Sequence, residues 1–367
     1  MRIGMDARFL VEERTGVETY FHELLWRLIH AGGEDEILLF RGAGLLPRLP
    51  EGRWRCVEAN GRAWTWGLSG TLARESLDLF YSPITSFPLR AGLKTVATVH
   101  DLSWHHAPSS YSALERLRQR RWTKLAAEHA HGIVVVSNST GKDLSQLHPS
   151  VARRMVTISP GVDEGFFASV PHREQQRVRD RYGLPGRYLL ALASFHPRKN
   201  LGCLVEAYDR FRSRNPERLQ LLLAGKGGRD SARVLARVSR SPFRDDILLC
   251  GYVPREDLPA LYSGAELFVL VSRYEGFGIP AVEAMASGIP VVVSDLEVFR
   301  EVCGEAAFRT DPQDPESIAE TIASSLRDTP DRARRLEEGI RKARDYRWET
   351  SAGKLRDYLH QVAGEAA

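Results

Sequence analysis

Two carboxylates separated by a glycine-rich turn are the strongest chemical feature of this sequence. Glu275 and Glu283 flank the turn Gly-Phe-Gly-Ile-Pro, which directly follows the apolar run 267–272. The apolar run predicts a buried strand, and the proline predicts a helix that opens at Ile279-Pro280. Glycines let a backbone approach a ligand closely, and the free N–H groups of a helix start attract phosphate. The segment could therefore hold a sugar hydroxyl at Glu275, a diphosphate at the turn and a ribose at Glu283.

Spacing alone leaves a second interpretation of this segment open. Glu275 could be a solvated loop residue, and Glu283 could be a first-turn acid that the helix dipole favours. A carboxylate at a helix start does not require a Gly-Phe-Gly approach beside it, however, and Phe277 between two glycines is unusual for a simple turn. These two observations favour a ligand site.

The run EGFGIPAVEAM resembles the Glu-x7-Glu signature of retaining glycosyltransferases of the GT-B fold, particularly family 4. The resemblance extends over nearly the whole chain and is most specific over residues 268–295. It implies that Glu275 binds hydroxyls of the donor sugar and that Glu283 binds the ribose of the nucleotide. The turn residues assigned to the donor on the same ground are Gly276, Phe277, Gly278 and Ile279.

A pair of cations, Arg198 and Lys199, follows the predicted strand 188–193. Two positive charges on a strand-to-helix loop could neutralise a departing diphosphate, although an isolated Arg-Lys pair is more often a solvated loop. The resemblance implies that Lys199 binds the diphosphate. Arg198 is a departure from the family pattern, in which many members carry an arginine near the position of Ser194.

Four further residues complete the predicted site. Gly16 precedes the first predicted helix, and the pair His100-Asp101 ends the predicted strand 95–100. From the residues alone, Gly16 could be a plain turn and His100-Asp101 a structural pair. The resemblance implies that Gly16 contacts the donor phosphates and that His100 contacts the donor sugar. Asp101 could orient the imidazole or meet the acceptor, and the resemblance implies that Val253 packs against the nucleobase.

The predicted fold is α/β, because short apolar runs alternate with longer amphipathic segments almost from end to end. The polar interruption around 159–167 predicts a domain boundary, with an acceptor-side domain over 1–165 and a nucleotide-sugar domain over 166–347. A final helix over 348–363 is expected to cross back onto the first domain. The architecture implied by the resemblance is GT-B: two tandem Rossmann-like domains, each a doubly wound parallel sheet, with an interdomain cleft. The runs predicted as strands are 2–6, 36–40, 79–82, 95–100, 132–137, 188–193, 219–225, 247–252, 267–272 and 290–294.

Composition limits the class of protein. The chain has 367 residues, 43% of them hydrophobic, and a formal net charge of +4. This length suggests two domains, and the mild basicity does not require nucleic acid as a partner. No run approaches a membrane-spanning length, no signal peptide is evident, and four scattered cysteines indicate reduced thiols in a cytoplasmic protein. No Asp-x-Asp motif occurs, so metal-independent chemistry without a cofactor is expected.

One basic segment has two interpretations. Five cations lie among apolar residues over 114–125, and they form either a solvated helix face or a peripheral docking surface for anionic lipid at the inner face of a membrane. The cations are Arg116, Arg118, Arg120, Arg121 and Lys124.

The sequence therefore predicts a retaining hexosyltransferase that uses a nucleotide diphosphate sugar. The short H-D-L and P-R-K-N variants resemble bacterial mannosyltransferases of polysaccharide assembly, so GDP-mannose is the favoured donor, with UDP-sugars next. The expected acceptor is a hydroxyl of a glycan or of a lipid-linked acceptor. The predicted catalytic residues are His100, Arg198, Lys199 and Glu275. A sugar-nucleotide epimerase of the same fold and a catalytically silent nucleotide-binding homologue remain as alternatives.

Overall fold

The computed structural model describes residues 1–42, 46–59, 68, 70–89 and 92–364. The chain forms two compact units. The first comprises Met1–His105, Ser112–Gly161 and Arg347–Ala367, and the second comprises His106–Tyr111 and Val162–Tyr346. Each unit is built on one parallel β-sheet, which confirms the predicted fold class of two Rossmann-like α/β domains.

Among the described residues, the sheet of the first unit has seven strands and that of the second has six. The strand order is β3-β2-β1-β4-β5-β6-β7 in the first and β10-β9-β8-β11-β12-β13 in the second, and neighbouring strands are parallel. The strands are β1 Arg2–Asp6, β2 Glu36–Arg41, β3 Trp54–Glu58, β4 Leu79–Ser82, β5 Lys94–Val99, β6 Gly132–Val135, β7 Met155–Thr157, β8 Tyr188–Leu192, β9 Gln220–Ala224, β10 Ile247–Gly251, β11 Leu267–Leu270, β12 Val291–Ser294 and β13 Phe308–Thr310.

Helices connect most of the strands, as parallel pairing requires. The last of them is grouped with the first unit, although it follows the second in sequence. The helices are α1 Gly16–His30, α2 Ser103–His106, α3 Ala113–His129, α4 Asn138–Leu147, α5 His172–Arg181, α6 Leu201–Arg214, α7 Ser231–Ser239, α8 Leu258–Ser263, α9 Ile279–Ala286, α10 Glu297–Val302, α11 Pro315–Ser325, α12 Pro330–Ala343 and α13 Trp348–Gly364.

The ten apolar runs predicted as strands are confirmed, and their ends agree with the structure to within two residues. Central strands such as β6, β9 and β11 are buried along their whole length. Burial on both faces explains why these strands are continuous apolar runs rather than alternating patterns. The apolar pattern is therefore a reliable predictor for the strands in the interior of each sheet.

Three strands, β3, β7 and β13, were not predicted from the sequence. All three lie at an edge of their sheet, and most of their residues are partly or fully exposed. An edge strand has a neighbour on one side only and is less covered by helices, so its sequence does not need a continuous apolar run. Pairing with an inner strand forms these edges, and that pairing is invisible in a local pattern.

The strand order of the second sheet creates a crevice where the candidate residues lie. The chain runs outward from β8 to β9 and β10, and then returns to the other side of β8 with β11. The loops after β8 and β11 therefore diverge at a topological switch point, where open α/β sheets bind their ligands. These two loops carry Arg198, Lys199 and Glu275.

Candidate active site

The centre of the candidate site is a cluster of three charges in the second unit. The carboxylate of Glu275 accepts hydrogen bonds from Lys199 Nζ and, at 2.8 Å, from an Arg198 guanidinium nitrogen. The Ser272 hydroxyl donates a third hydrogen bond of 2.7 Å to the same carboxylate. Glu275 is only 6% exposed. Arg198 and Lys199 come from one segment of the sequence and Glu275 from another, and the sequence analysis assigned all three to one site. The structure brings them together.

The pKa of Glu275 reflects these partners. Burial alone would raise it, but the ammonium of Lys199 and the guanidinium of Arg198 outweigh burial and lower the pKa to about 2. Glu275 is therefore an ionised acceptor at neutral pH. The two cations and the one carboxylate sum to a net charge of +1, which suits an anionic ligand.

Asn200 fixes the geometry that lets Lys199 reach Glu275. Its backbone adopts a left-handed conformation with φ of 61°, which asparagine tolerates better than most residues. Its side-chain amide donates to the carbonyls of Val271 at 3.2 Å and Pro312 at 2.7 Å. The loop after β8 is thereby tied to the end of β11, so the two cations are held beside the carboxylate.

The helix start after the glycine-rich turn is confirmed at the predicted position. Helix α9 begins at Ile279 with Pro280 in its first turn, and Gly278 precedes it with φ of 93°. A Cβ atom at position 278 would lie 2.6 Å from the Phe299 ring, so both conformation and space require glycine there. Pro280 has no N–H, and the N–H of Ala281 donates to the carbonyl of Gly278 at 2.9 Å, so it is the positive end of the helix dipole that makes the start of α9 suited to an anion.

Phe277 has a structural role that its position between two glycines had not revealed. Its side chain is buried and packs edge to face against Tyr346, with the ring centres 5.2 Å apart. A donor contact by Phe277 would therefore come from its backbone. The same holds for Val253, which is buried just beyond β10, whereas Ile279 at the helix start is partly exposed.

Glu283 lies one turn inside α9 and is 2% exposed. One of its carboxylate oxygens accepts a hydrogen bond of 3.3 Å from Arg255, and the other accepts one of 3.1 Å from the Tyr262 hydroxyl. Burial raises the pKa of Glu283 to about 7, because Arg255 and Tyr262 only partly compensate and Asp163 adds repulsion. The two glutamates of this segment thus have opposite pKa shifts. The reason is that Glu275 pairs with two cations, whereas Glu283 pairs with Arg255, which also pairs with Asp163.

The candidate residues of the first unit are also ordered. His100 Nε2 donates to the carbonyl oxygen of Pro83 at 2.7 Å, which makes Nδ1 an acceptor in the neutral ring, and burial lowers the pKa of this histidine. Asp101 accepts hydrogen bonds from the backbone N–H and the hydroxyl of Ser103, the first residue of the short helix α2. Gly16 is the first residue of α1, and a Cβ atom there would meet nothing within 4 Å.

Three site-forming residues were not recognised as such in the sequence. Ser272 ends the predicted strand 267–272, and Asn200 directly precedes helix α6, so a polar residue at the end of an element was the signal available for both. Arg255 lies 28 residues from its partner Glu283, and no local pattern links the two. In the described ranges, no group of three or more His, Cys, Asp or Glu side chains could hold a metal ion.

Comparisons with known proteins identify the family. The model for glycosyl transferases group 1 matches residues 173–343, and the model for glycosyltransferase family 4 matches residues 14–166. The O-antigen chain mannosyltransferase B of Escherichia coli is 30% identical over 364 residues, which cover 91% of this chain and 93% of that protein. This chain therefore belongs to the family 4 glycosyltransferases and is a transferase enzyme.

Solved structures agree on the fold. Sucrose-phosphate synthase from Thermosynechococcus elongatus is similar with a TM-score of 0.79 and 21% identity, over 98% of both chains. HepE of Anabaena, solved in complex with UDP-glucose, is similar with a TM-score of 0.78 and 18% identity, over 98% of this chain and 99% of that one. The expected GT-B fold is confirmed by these neighbours.

Proposed function

We propose that this enzyme transfers mannose, with retention of configuration, from GDP-mannose to a hydroxyl of a glycan or lipid-linked acceptor. The observation that carries the proposal is the buried cluster of Lys199, Arg198 and Glu275 at the switch point of the second sheet. Mannose is favoured because the relative that matches almost the full chain is an O-antigen mannosyltransferase. We assign donor binding to residues 166–347, and acceptor binding to residues 1–165 together with the helix over 348–363.

The charges of the cluster suit the bond that must break. When the bond between the sugar and the diphosphate cleaves, the electron pair leaves with the diphosphate, and negative charge grows on its oxygens. Lys199 and Arg198 are held in place by Glu275, so they need no rearrangement to stabilise that charge. The positive dipole end at the start of α9 adds to the same field.

The roles of the other site residues follow from the hydrogen bonds that their side chains can accept or donate. Glu275 stays ionised and accepts hydrogen bonds from hydroxyls of the donor sugar, and Glu283 accepts hydrogen bonds from the ribose. His100 contacts the donor sugar, and Asp101 orients the loop that follows it. In a front-face mechanism the acceptor hydroxyl loses its proton to the departing phosphate oxygen, so retention of configuration needs no separate protein base.

Three alternatives are separated by one experiment. A UDP-sugar donor is supported by the neighbour solved with UDP-glucose. A sugar-nucleotide epimerase would convert the donor without an acceptor, and a silent homologue would bind nucleotide without cleaving it. A panel of nucleotide sugars, read first by thermal shift and then by product analysis, distinguishes all of these.

We expect GDP-mannose to raise the unfolding temperature more than any other sugar nucleotide in the panel. A ligand at 100 times its dissociation constant stabilises the native state by about 2.7 kcal/mol, which raises the unfolding temperature by a few degrees. Slow hydrolysis of GDP-mannose should accompany binding, and NMR of the transferred sugar should show the α-configuration of the donor retained. A larger shift with a UDP-sugar would overturn the choice of donor, and a β-linked product would overturn retention.

We further propose that helix α3 docks on an anionic lipid surface. Leu114 and Leu117 are 76% and 63% exposed, which is unusual for leucine. In helical spacing they share one face with Arg118 and Arg121. Exposed apolar side chains beside cations are the pattern of a helix that lies in a membrane interface. None of the helices in the described ranges is long and apolar enough to span a membrane.

Charge reversal tests the docking surface. We expect Arg118→Glu/Arg121→Glu to lower binding to phosphatidylglycerol vesicles about tenfold or more in a sedimentation assay, since each cation near such a surface contributes about 1 kcal/mol. The control, Arg233→Glu/Arg240→Glu, makes the same charge change at exposed positions of the second unit. Equal losses in both variants would indicate a general charge effect and would refute docking through α3.

A further inference from the structure

Arg255 is a cation beside the candidate ribose site that the proposed function leaves without a role. It opens the short turn Arg255–Asp257 between β10 and α8. Its guanidinium donates to Glu283 at 3.3 Å and to Asp163 at 2.9 and 2.5 Å. It also lies 5.6 Å from the centre of the Phe166 ring. Arg255 therefore joins two carboxylates, one of them the proposed ribose ligand.

The turn that carries Arg255 is held by a second charged cluster. Asp257 is fully buried and accepts hydrogen bonds from Arg177 at 2.5 Å, Arg181 at 2.8 Å and the Tyr182 hydroxyl at 2.7 Å. A buried carboxylate with three charged or polar donors is costly to move, because any displacement leaves it unpaired. The backbone of Arg255 is thus anchored two residues away, and its side chain has a defined direction.

The carboxylate of Glu283 keeps acceptor capacity for a ligand. An ionised carboxylate has about four lone-pair positions, and Arg255 and Tyr262 each take one, on different oxygens. Two neighbouring ribose hydroxyls could be accepted by the remaining positions. Such bonds need the ionised form of Glu283, since a protonated carboxyl group loses acceptor capacity.

We propose that Arg255 is a positioning residue for the donor nucleoside, which orients and charge-stabilises the Glu283 carboxylate for the ribose hydroxyls, and that Asp163 opposes it. The inference rests on the proposed function, because it assigns the ribose of a sugar nucleotide to Glu283. Asp163 acts in two ways: it shares the Arg255 guanidinium with Glu283, and its own negative charge repels that of Glu283.

The charged and polar groups that face Glu283 determine the direction of its pH dependence. They are Arg255, which lies between Glu283 and Asp163 in the ion-pair chain, Asp163 at the far end of that chain, and Tyr262 on α8. Burial raises the pKa of Glu283 to about 7, Arg255 and Tyr262 lower it, and Asp163 raises it. Ribose-dependent affinity should therefore increase as pH rises through the neutral range. This increase has a midpoint at the pKa of Glu283. Removing Arg255 should shift the midpoint to higher pH, and removing the charge of Asp163 should shift it to lower pH.

The experiment compares GDP with 2′,3′-dideoxy-GDP by titration calorimetry between pH 6 and 8.5. Both nucleotides ionise alike at the phosphates, so the ratio of their dissociation constants isolates the ribose contribution. We expect Arg255→Met to weaken GDP about tenfold at pH 7, the order of a lost charge-assisted hydrogen bond, and to leave dideoxy-GDP within about twofold. Glu283→Gln should have the same selective effect, and the double variant should lose little more.

The outcomes separate this inference from the function on which it rests. Equal weakening of both nucleotides by Arg255→Met, or a pH midpoint that moves in the same direction in Arg255→Met and Asp163→Asn, would overturn the role of Arg255 while the transferase assignment stands. If the wild-type protein bound neither GDP nor UDP, the proposed function would fail first. Asp163→Asn serves as the second variant, because it keeps the shape of a side chain that is partly exposed.

Discussion

Replacing Lys199 by methionine is expected to lower kcat about 1,000-fold, while the KM for the donor rises far less. The amino group of Lys199 donates to the Glu275 carboxylate at the carboxyl end of the second sheet, where the loops after β8 and β11 diverge. The charge on the leaving diphosphate grows during cleavage, so the loss falls mainly on the transition state. Removing one preorganised donor from such a site typically costs about 100- to 1,000-fold in kcat.

The fold should tolerate this change, which makes the result interpretable. Glu275 keeps Arg198 and Ser272 as partners in the variant, so its buried charge is not left alone. Lys354→Met, at an exposed position of α13, is the matched control and should leave both kcat and the unfolding temperature unchanged. The measurement is initial rate against donor concentration. A kcat within about threefold of wild type would remove Lys199 from the catalytic machinery.

Glu275→Gln is expected to reduce kcat/KM by about 100-fold or more and to destabilise the second unit in a pH-dependent way. Glutamine has nearly the same shape but cannot neutralise Lys199 and Arg198, which are largely buried beside it. The substitution removes the charge that holds the two cations and, with it, the carboxylate that we propose binds the hydroxyls of the donor sugar. The activity loss should therefore be accompanied by a loss of stability, unlike in the Lys199 variant.

The pH dependence of that loss has a defined sign. The pKa of Glu275 falls from its ordinary 4.5 to about 2 in the folded protein. Its contribution to stability is therefore complete above pH 4.5 and disappears as the pH falls toward 2. A depression of this size corresponds to up to about 3 kcal/mol at neutral pH. The difference in unfolding free energy between wild type and Glu275→Gln should shrink between pH 7 and pH 3.5.

Urea unfolding at several pH values measures this difference directly. The matched control is Glu266→Gln, which breaks a more exposed pair with Arg187 in the same unit and should cost no more than about 1 kcal/mol at any pH. A constant difference for Glu275→Gln across the pH range would contradict the assigned pKa. Normal turnover in that variant would contradict its role on the donor sugar.

Glu275 and Glu283 show which properties of the site can be predicted from neighbouring residues in the sequence and which cannot. The turn, the glycine with positive φ and the first helical residue at Ile279 are all consequences of the residues between 275 and 283, and all were predictable. The opposite pKa shifts of the two glutamates were not, because both look alike in the local pattern. Lys199 and Arg255 produce the difference, and they reach the segment from 76 and 28 residues away.

The sequence by itself determined the interior strands of both sheets, the helix start at the glycine-rich turn and the residue types of the candidate site. These follow from interactions over a few residues: apolar runs that must be buried, and backbone conformations that only certain residues adopt. Only the tertiary structure decided the edge strands β3, β7 and β13, the burial of Phe277 against Tyr346 and the partners of each carboxylate. The physical reason is that strand order, which places β8 beside β11, is a global property, and the charges that tune a buried group are set by what that order brings next to it.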